Sequence, residues 1–414
     1  MAHRKVLVLN LGWEQQPLMD ALARPERGLE LYGVHADRAT APKVGFREIL
    51  IADMRDLVRI IEFADRIHPD AVISDECDYA LFAQALLAER YTLPGPSLQA
   101  AHLSSNKLLQ CDAAKDVQIR VPDFARCLSA EDVRIFGERF GWPVILKPND
   151  NRGSFGVSVV QRPSDATAAH ARAVAHSHSR LVLVQRYIFG HHLTIDGYCA
   201  PGGTPETFAL ASNHKFDGDE GTVNESIVYP GDLEPAIYRD AWNLAAKTAS
   251  ALRYEFGPFH GEFIVERGSG RIYLTEMSNR GGGVHISNIA VPHVSRVDLV
   301  NKHIDDTLGI SSSHQSGPSS VPRAAMLRFF ADNGLAGRRL HSAKGLEAIS
   351  RLPGVLCCRL FISPGEMFGR LESGAGRHGM IIVGADHRDK LEALASNAVE
   401  QLSIELEPEP AQNC

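Results

Sequence analysis

A chain of 414 residues exceeds what one hydrophobic core organises, so two or three domains are expected. Its 44% hydrophobic and 22% charged content is ordinary for a globular protein, and a net charge of −7 without a basic block argues against a nucleic-acid-binding face. Seven cysteines show no CxxC and no ligand-like spacing, which fits reduced cytoplasmic thiols better than a disulfide framework. The apolar run at residues 6–9 is too short for a signal peptide, and no stretch approaches a membrane span.

Residues 6–9 read as a buried parallel strand, being short and continuously apolar. A helix starts at 17–23, a second strand covers 29–35, and residues 53–67 carry Leu57, Ile60, Ile61 and Ala64 at helical spacing. Residues 71–74 form a third strand and 80–90 a helix, ended by Pro94-Gly95-Pro96. This alternation predicts a small doubly wound parallel sheet, whose ligands lie beyond the carboxyl ends of the strands. Asn10-Leu11-Gly12 and Asp75-Glu76 fall on that side, although Asp75-Glu76 also suits a helix N-terminus. No GxGxxG follows the first strand, so a dinucleotide site is not indicated.

Ser104 to Lys107 opens the next helix, with Ser or Asn as its cap, and 131–140 is a surface helix. Residues 143–148 form a strand that delivers Lys147 to a Gly/Ser loop at 149–156, which runs into another strand. A lysine beside free backbone N–H groups suits a polyphosphate, although GxxxxGK[ST] is absent. Residues 181–188 are a strand, Phe189-Gly190-His191-His192 breaks it, and 193–198 resumes. Adjacent His191 and His192 point to opposite faces, against a shared metal. After a polar, Gly-rich segment at 213–230 comes a helix at 235–252. Two β-rich runs then flank the turn Arg267-Gly268-Ser269-Gly270-Arg271. Folding there sets Glu262 opposite Glu276, a repulsive pair unless a cation lies between them. Arg280, a fork for carboxylate or phosphate, and Gly281-Gly282-Gly283 follow.

The order of helix-borne lysine, strand lysine before a Gly/Ser loop, apolar strand ending in Tyr-Ile, Gly-x-x-x-Thr-Ile-Asp-Gly strand and Glu262/Glu276/Arg280 hairpin resembles the ATP-grasp superfamily, from about Ser104 to Ile310. It looks closest to the carboxylate–amine ligase branch with the L-amino acid ligases, and more widely to biotin carboxylase and carbamoyl phosphate synthetase. The resemblance implies an α/β and α+β chain. A doubly wound parallel domain spans 1–103, an ATP-grasp domain 104–312 with a mobile lid at about 120–190, and an antiparallel cap 313–414. It implies ATP with one or two Mg²⁺ (or Mn²⁺), a small-molecule carboxylate and amine joined through an acyl phosphate with release of ADP, and a homodimer. A carboxylase working through carboxyphosphate, or a nucleotide-binding module without turnover, are the alternatives.

By the same resemblance, Lys107 and Lys147 touch the ATP phosphates and Ser154 belongs to the loop that closes over them. Gln185 lies near the adenine amino group, and Tyr187 and Ile188 form the hinge. His192 falls where a Glu commonly grips the ribose. Glu262 and Glu276 match the Mg²⁺ carboxylates. Ser278 stands where the family has Asn, so Ser278 or Asn279 is the further ligand. Arg280 meets the acyl phosphate or substrate carboxylate. Glu76, Glu225, Gly282, Gly283 and His285 are candidate substrate contacts, with Ser287 beside them. Beyond a Ser/Gly/Gln linker at 311–320, strands at 324–330, 354–362 and 379–383 and a helix at 389–402 make the cap, in which Gly376-Arg377-His378-Gly379 is a turn or a ligand contact. A polar tail follows residue 405.

Overall fold

The computed structural model describes residues 4–42, 44–216, 221–310 and 323–408. The linker expected at 311–320 and the tail beyond 408 lie outside these residues.

The N-terminal strands Arg4–Leu9, Leu29–His35 and Ala71–Ile73 form the expected parallel sheet, joined at its edge by Glu48–Ile51. The sequence reading passes over that fourth strand because it is half-exposed and only four residues long. Leu7, Leu9, Val34 and Val72 pack on one face against Ile60, Phe63 and Ala64 of helix Leu57–Ile67. Asp56 caps this helix by accepting from Arg59 N at 3.3 Å, which is why it begins later than the apolar spacing suggests. Helix Asp78–Tyr91 starts at the mouth of the sheet.

A separate antiparallel sheet is ordered Phe124–Cys127, Val182–Arg186, Val144–Pro148, Ser158–Val160. It is covered by helices Ala130–Phe140 and Ala166–Ala175, with Phe136, Leu146 and Val184 in its core. Across from it stands an eight-stranded sheet. In order, its strands are Ile272–Ser278, Gly257–Glu266, Gly190–Cys199, Glu206–Lys215, Asn224–Tyr229, Ala324–Phe330, Gly379–Ala385 and Val355–Leu360. The C-terminal strands therefore continue the central sheet. Ala324–Phe330 pairs the edge that Asn224–Tyr229 would otherwise leave open. Two readings are corrected here. The break at His191-His192 is not one, since their strand begins at Gly190, and residues 213–215 and 224–229 of the polar segment at 213–230 are strand.

Helix Pro235–Ala251 lays Ala241, Ala245 and Ala249 on Phe259, Phe263, Leu193 and Leu210 of this sheet. Small residues on the helix let it approach closely, and each fully buried large apolar side chain contributes about 1.5–3 kcal/mol. Among the described residues, no helix is long and apolar enough to cross a membrane. The six described cysteines are free thiols.

Candidate active site

The turn at 267–271 closes as the sequence demands. Gly268 and Gly270 take φ of 83° and 66°, and Glu266 N donates to Arg271 O at 2.8 Å. The resulting register sets Glu262 against Glu276. A bulge follows, with Thr275 Oγ1 donating to Glu262 O at 2.9 Å, so both carboxylates face one cavity of about 600 Å³.

Helix Lys107–Asp116 starts at that cavity. Asn106 caps it by accepting from Leu109 N at 3.0 Å, and Asn149 accepts from Leu108 N at 3.0 Å, which ties the helix start to the end of strand Val144–Pro148. Lys107 Nζ consequently stands 3.0 Å from Glu276 Oε2 and donates to Asn151 O at 2.7 Å. Burial opposes charge on Lys107, but Glu276 outweighs it and holds the lysine above its ordinary range. Lys147 and Lys215 line the same cavity with no ion pair to a carboxylate among the described residues, and burial pulls both below theirs. Three ammonium groups around two carboxylates leave a positive surplus suited to a polyphosphate.

Gln185, Tyr187, Ile188 and His192 form the other end of the cavity. Gln185 Oε1 is buried without a donor, which fits an amino group arriving on a ligand. Burial, and then the charges of Lys215 and Lys147, push His192 down to about 3, so its ring is neutral at neutral pH. Ser154 adopts φ of 60° and donates its hydroxyl to Thr222 O at 2.9 Å, clasping the Gly/Ser loop to residue 222.

Glu76, Arg280 and Gly283 also line the cavity. Arg280 donates from Nε and Nη2 to the two oxygens of Asp78, at 2.9 and 3.0 Å, and from Nη1 to Gly281 O at 2.8 Å. All three nitrogens are thus engaged. Glu76 is sealed, accepting from Ser287 Oγ at 3.0 Å and His285 N at 3.1 Å. Burial and the neighbouring Asp75 raise its carboxyl well above the usual range. Asp75 accepts from Gly281 N at 2.7 Å, so this acidic pair docks the loop at 281–287 and does not cap a helix.

Five expected site residues stand elsewhere. Ser278 gives its hydroxyl to Asp78 at 3.1 Å, and Asn279 turns its amide inward to Phe256 O and Pro258 O at 2.9 and 3.1 Å. Neither reaches the cavity. Glu225 is the extra residue of a bulge between the pairs Lys215–Asn224 and His214–Ser226, and it stands outside the cavity beside Arg328 and Arg388. His285 packs edge-on against Trp13 at 5.0 Å and bonds Asn288. Gly282 lacks a side chain because a Cβ would come 2.7 Å from His260 Nδ1. The sequence reading missed Asp78, Lys215, Arg152 and Arg359. Only the alternation of Lys215 with Asn213 across a strand hints at one of them.

Among the described residues, no group of three His, Cys, Asp or Glu side chains can hold a metal. Two opposed carboxylates fit Mg²⁺ that completes its shell with phosphate oxygens and water.

Two antiparallel sheets facing each other over a cation-rich cavity are the arrangement of an ATP-grasp fold. Residues 140–288 match the ATP-grasp domain model and 337–407 the L-amino acid ligase C-terminal domain 2 model, and the chain belongs to the ATP-grasp superfamily. It is 23% identical over 327 residues to the uncharacterized protein y4rH of Sinorhizobium fredii, covering 78% of this chain and 65% of that one. It is 26% identical over 311 residues to formate-dependent phosphoribosylglycinamide formyltransferase of Corynebacterium glutamicum, covering 72% and 74%. The crystal structure of L-amino acid ligase from Bacillus licheniformis superposes with a TM-score of 0.81 at 16% identity, over 99% of this chain and 100% of that one.

Proposed function

We propose that this chain joins a small-molecule carboxylate to an amine at the expense of ATP, releasing ADP and phosphate. A carboxylate oxygen attacks the γ-phosphorus and ADP leaves. The amine nitrogen then attacks the acyl carbon, phosphate departs, and the nitrogen gives up a proton. The observation that supports this most is the opposition of Glu262 and Glu276 beside Lys107 and Lys147. Phosphoryl transfer needs positioned positive charge and little covalent help, and that is what these side chains offer.

In this reading Glu262 and Glu276 hold one or two Mg²⁺, which when bound neutralise charge on the transferred group. Lys107, Lys147 and Lys215 hold phosphate oxygens. Gln185 accepts from the adenine amino group, and Tyr187 and Ile188 flank the base. The Ser154–Thr222 clasp closes the Gly/Ser loop and keeps water from the acyl phosphate. The L-amino acid ligase domain match over 337–407 favours an organic carboxylate over bicarbonate as the group that ATP phosphorylates. We further propose a cytoplasmic two-fold dimer, which light scattering checks.

The test is phosphate release with MgATP over paired carboxylates and amines, with bicarbonate as a separate arm. Amine-dependent release with amide product is expected. Release that depends on bicarbonate, or none with any pair, overturns the reading.

A further inference from the structure

His260 is a cavity-lining side chain that the sequence reading passes over. It precedes Glu262 by two residues on strand Gly257–Glu266, so both point from the same face of the sheet. The register sets Glu262 against Glu276 and His260 against Ser278. His260 therefore stands about 6.5 Å along the strand from the carboxylate pair, on the side of Arg280 and the loop at 281–287. A Cβ at Gly282 would come 2.7 Å from its Nδ1, so that loop closes directly over the ring.

A buried chain of hydrogen bonds holds this ring from behind. His260 Nδ1 is 2.7 Å from Asp196 Oδ1 on the neighbouring strand Gly190–Cys199, where the two residues are paired. Tyr229 donates its hydroxyl to Asp196 Oδ2 at 2.7 Å. Burial and then Asp196 raise the Tyr229 hydroxyl well above its ordinary range, so it stays a donor. The Asp196 side chain is 4% exposed and has both oxygens committed. A carboxylate on Nδ1 fixes a proton there and sets the ring orientation. In the neutral ring Nε2 is then a bare acceptor, and it has no partner among the described residues.

Several polar side chains that line the cavity are unsuited to an incoming amine. Lys107, Lys147, Lys215 and Arg280 are donors, and a neutral amine brings N–H donors of its own. Asp78 is taken by Arg280, and Glu76 by Ser287 and His285 N. Glu262 and Glu276 face magnesium in the ligase reading. We propose that His260 Nε2 accepts an N–H of the attacking amine and so aims the nitrogen lone pair at the acyl carbon, with Asp196 and Tyr229 as positioning residues. The nitrogen–carbon bond forms and the bond from the acyl carbon to the phosphate oxygen breaks. The displaced proton leaves on that phosphate, whose oxygen gains the charge of the broken bond. His260 ends the step as it began, so its role is orientation. This names a residue for the second step of the ligase reading above and rests on that reading.

The test separates the two steps in the full chain, with MgATP and the carboxylates and amines of the phosphate-release screen, the proteinogenic L-amino acids among them. ADP formed in the first turnover, and hydroxamate formed when hydroxylamine traps the acyl phosphate, read the first step. Amide formation reads the second. His260→Asn keeps an N–H for Asp196 but withdraws Nε2. It should leave first-turnover ADP and hydroxamate within about twofold of wild type, raise the KM for the amine and slow amide formation about tenfold or more. His260→Gln keeps an amide at the Nε2 position and should recover part of that loss. Tyr229→Phe frees one Asp196 oxygen and should give a smaller loss in the same step, and it carries the test if His260→Asn does not fold. Wild-type amide formation in His260→Asn overturns the proposal, as does a Gln variant no better than Asn. An equal loss of first-turnover ADP, in either His260→Asn or Tyr229→Phe, also overturns it, by giving the chain to phosphoryl transfer. Wild-type chain that forms neither first-turnover ADP nor hydroxamate with any acid would instead sink the ligase reading, and this assignment with it.

Discussion

Lys107 Nζ meets Glu276 Oε2 at 3.0 Å and Asn151 O at 2.7 Å, so a single ammonium joins a helix start, the carboxylate hairpin and the Gly/Ser loop. Lys107→Met takes the cation from that junction. ADP release should fall on the order of 10²–10³-fold, the usual effect of losing one preorganised charge at a reacting centre. Glu276 borders the cavity and can recruit water, so the thermal midpoint should move less than for a sealed pair, where breaking costs about 3–5 kcal/mol. Glu276→Gln should abolish the tightening of ADP binding by Mg²⁺ in calorimetry. Mg²⁺ dependence equal to wild type would remove Glu276 from the metal site.

Asp78 is the counter-charge of Arg280 across 202 positions of sequence. Burial pushes its carboxyl up, yet the Arg280 charge and hydrogen bonds win and hold it at about 2, below the ordinary 3.8. The sign follows from that depression. Above pH 3.8 the pair contributes fully, and the contribution is lost as pH falls through about 2. Its size is about 2 kcal/mol by linkage. Asp78→Asn should lower unfolding free energy at neutral pH by about 3 kcal/mol, since it strands a buried guanidinium. Urea unfolding at pH 7 and pH 2 checks both, and the variant's deficit should shrink at the lower pH.

His192 has the same preference for the deprotonated form, but it acts at higher pH. Its folded value is depressed to about 3 from 6.5 by burial, so the folded ring refuses a proton that the unfolded chain accepts. Above pH 6.5 the ring adds nothing. Below it, stability falls by about 1.4 kcal/mol per pH unit until the folded ring also titrates. His192→Gln should flatten the acid limb of the stability curve between pH 6 and pH 4 relative to wild type. Parallel curves would show that His192 is hydrated in the folded state.

Chain features governed by neighbours were legible, and those governed by distant contacts were not. The hairpin could be read because a Gly-Ser-Gly turn and strand alternation fix the Glu262–Glu276 register locally. The lysines could be read because each sits at an element end with a recognisable signal, a cap for Lys107 and a Gly/Ser loop for Lys147. Ser278 has the right parity to follow Glu276 into the cavity, but Asp78 takes its hydroxyl, and Asp78 opens helix Asp78–Tyr91 beside another sheet. Arg377 reads in the sequence as part of a turn or of a ligand contact, with nothing local to decide between them. Its cavity-facing role depends on the C-terminal strands adding to the central sheet, which no local pattern states. Glu225 could not be placed from the sequence because a bulge at the start of strand Asn224–Tyr229 turns it out of the cavity, and no local pattern announces that bulge.

Two glycines separate packing from backbone conformation. A Cβ at Gly282 would lie 2.6 Å from Ile286 Cγ2 and 2.7 Å from His260 Nδ1. His260 Nδ1 is 2.7 Å from Asp196 Oδ1, and Tyr229 donates its hydroxyl to Asp196 Oδ2 at 2.7 Å. Gly282→Ala must therefore displace a side chain bonded to a buried carboxylate, costing about 1–3 kcal/mol as overpacking does. At Gly268 a Cβ would have nothing within 4 Å, but the residue holds φ of 83°. Gly268→Ala should cost about 1–2 kcal/mol through left-handed strain alone. The two variants should match in unfolding free energy yet differ in function. Gly282→Ala moves His260, which lines the cavity, and should depress ADP release, while Gly268→Ala at the exposed turn should leave it near wild type. Equal activity in the two would mean that the His260–Asp196–Tyr229 chain does not shape the site.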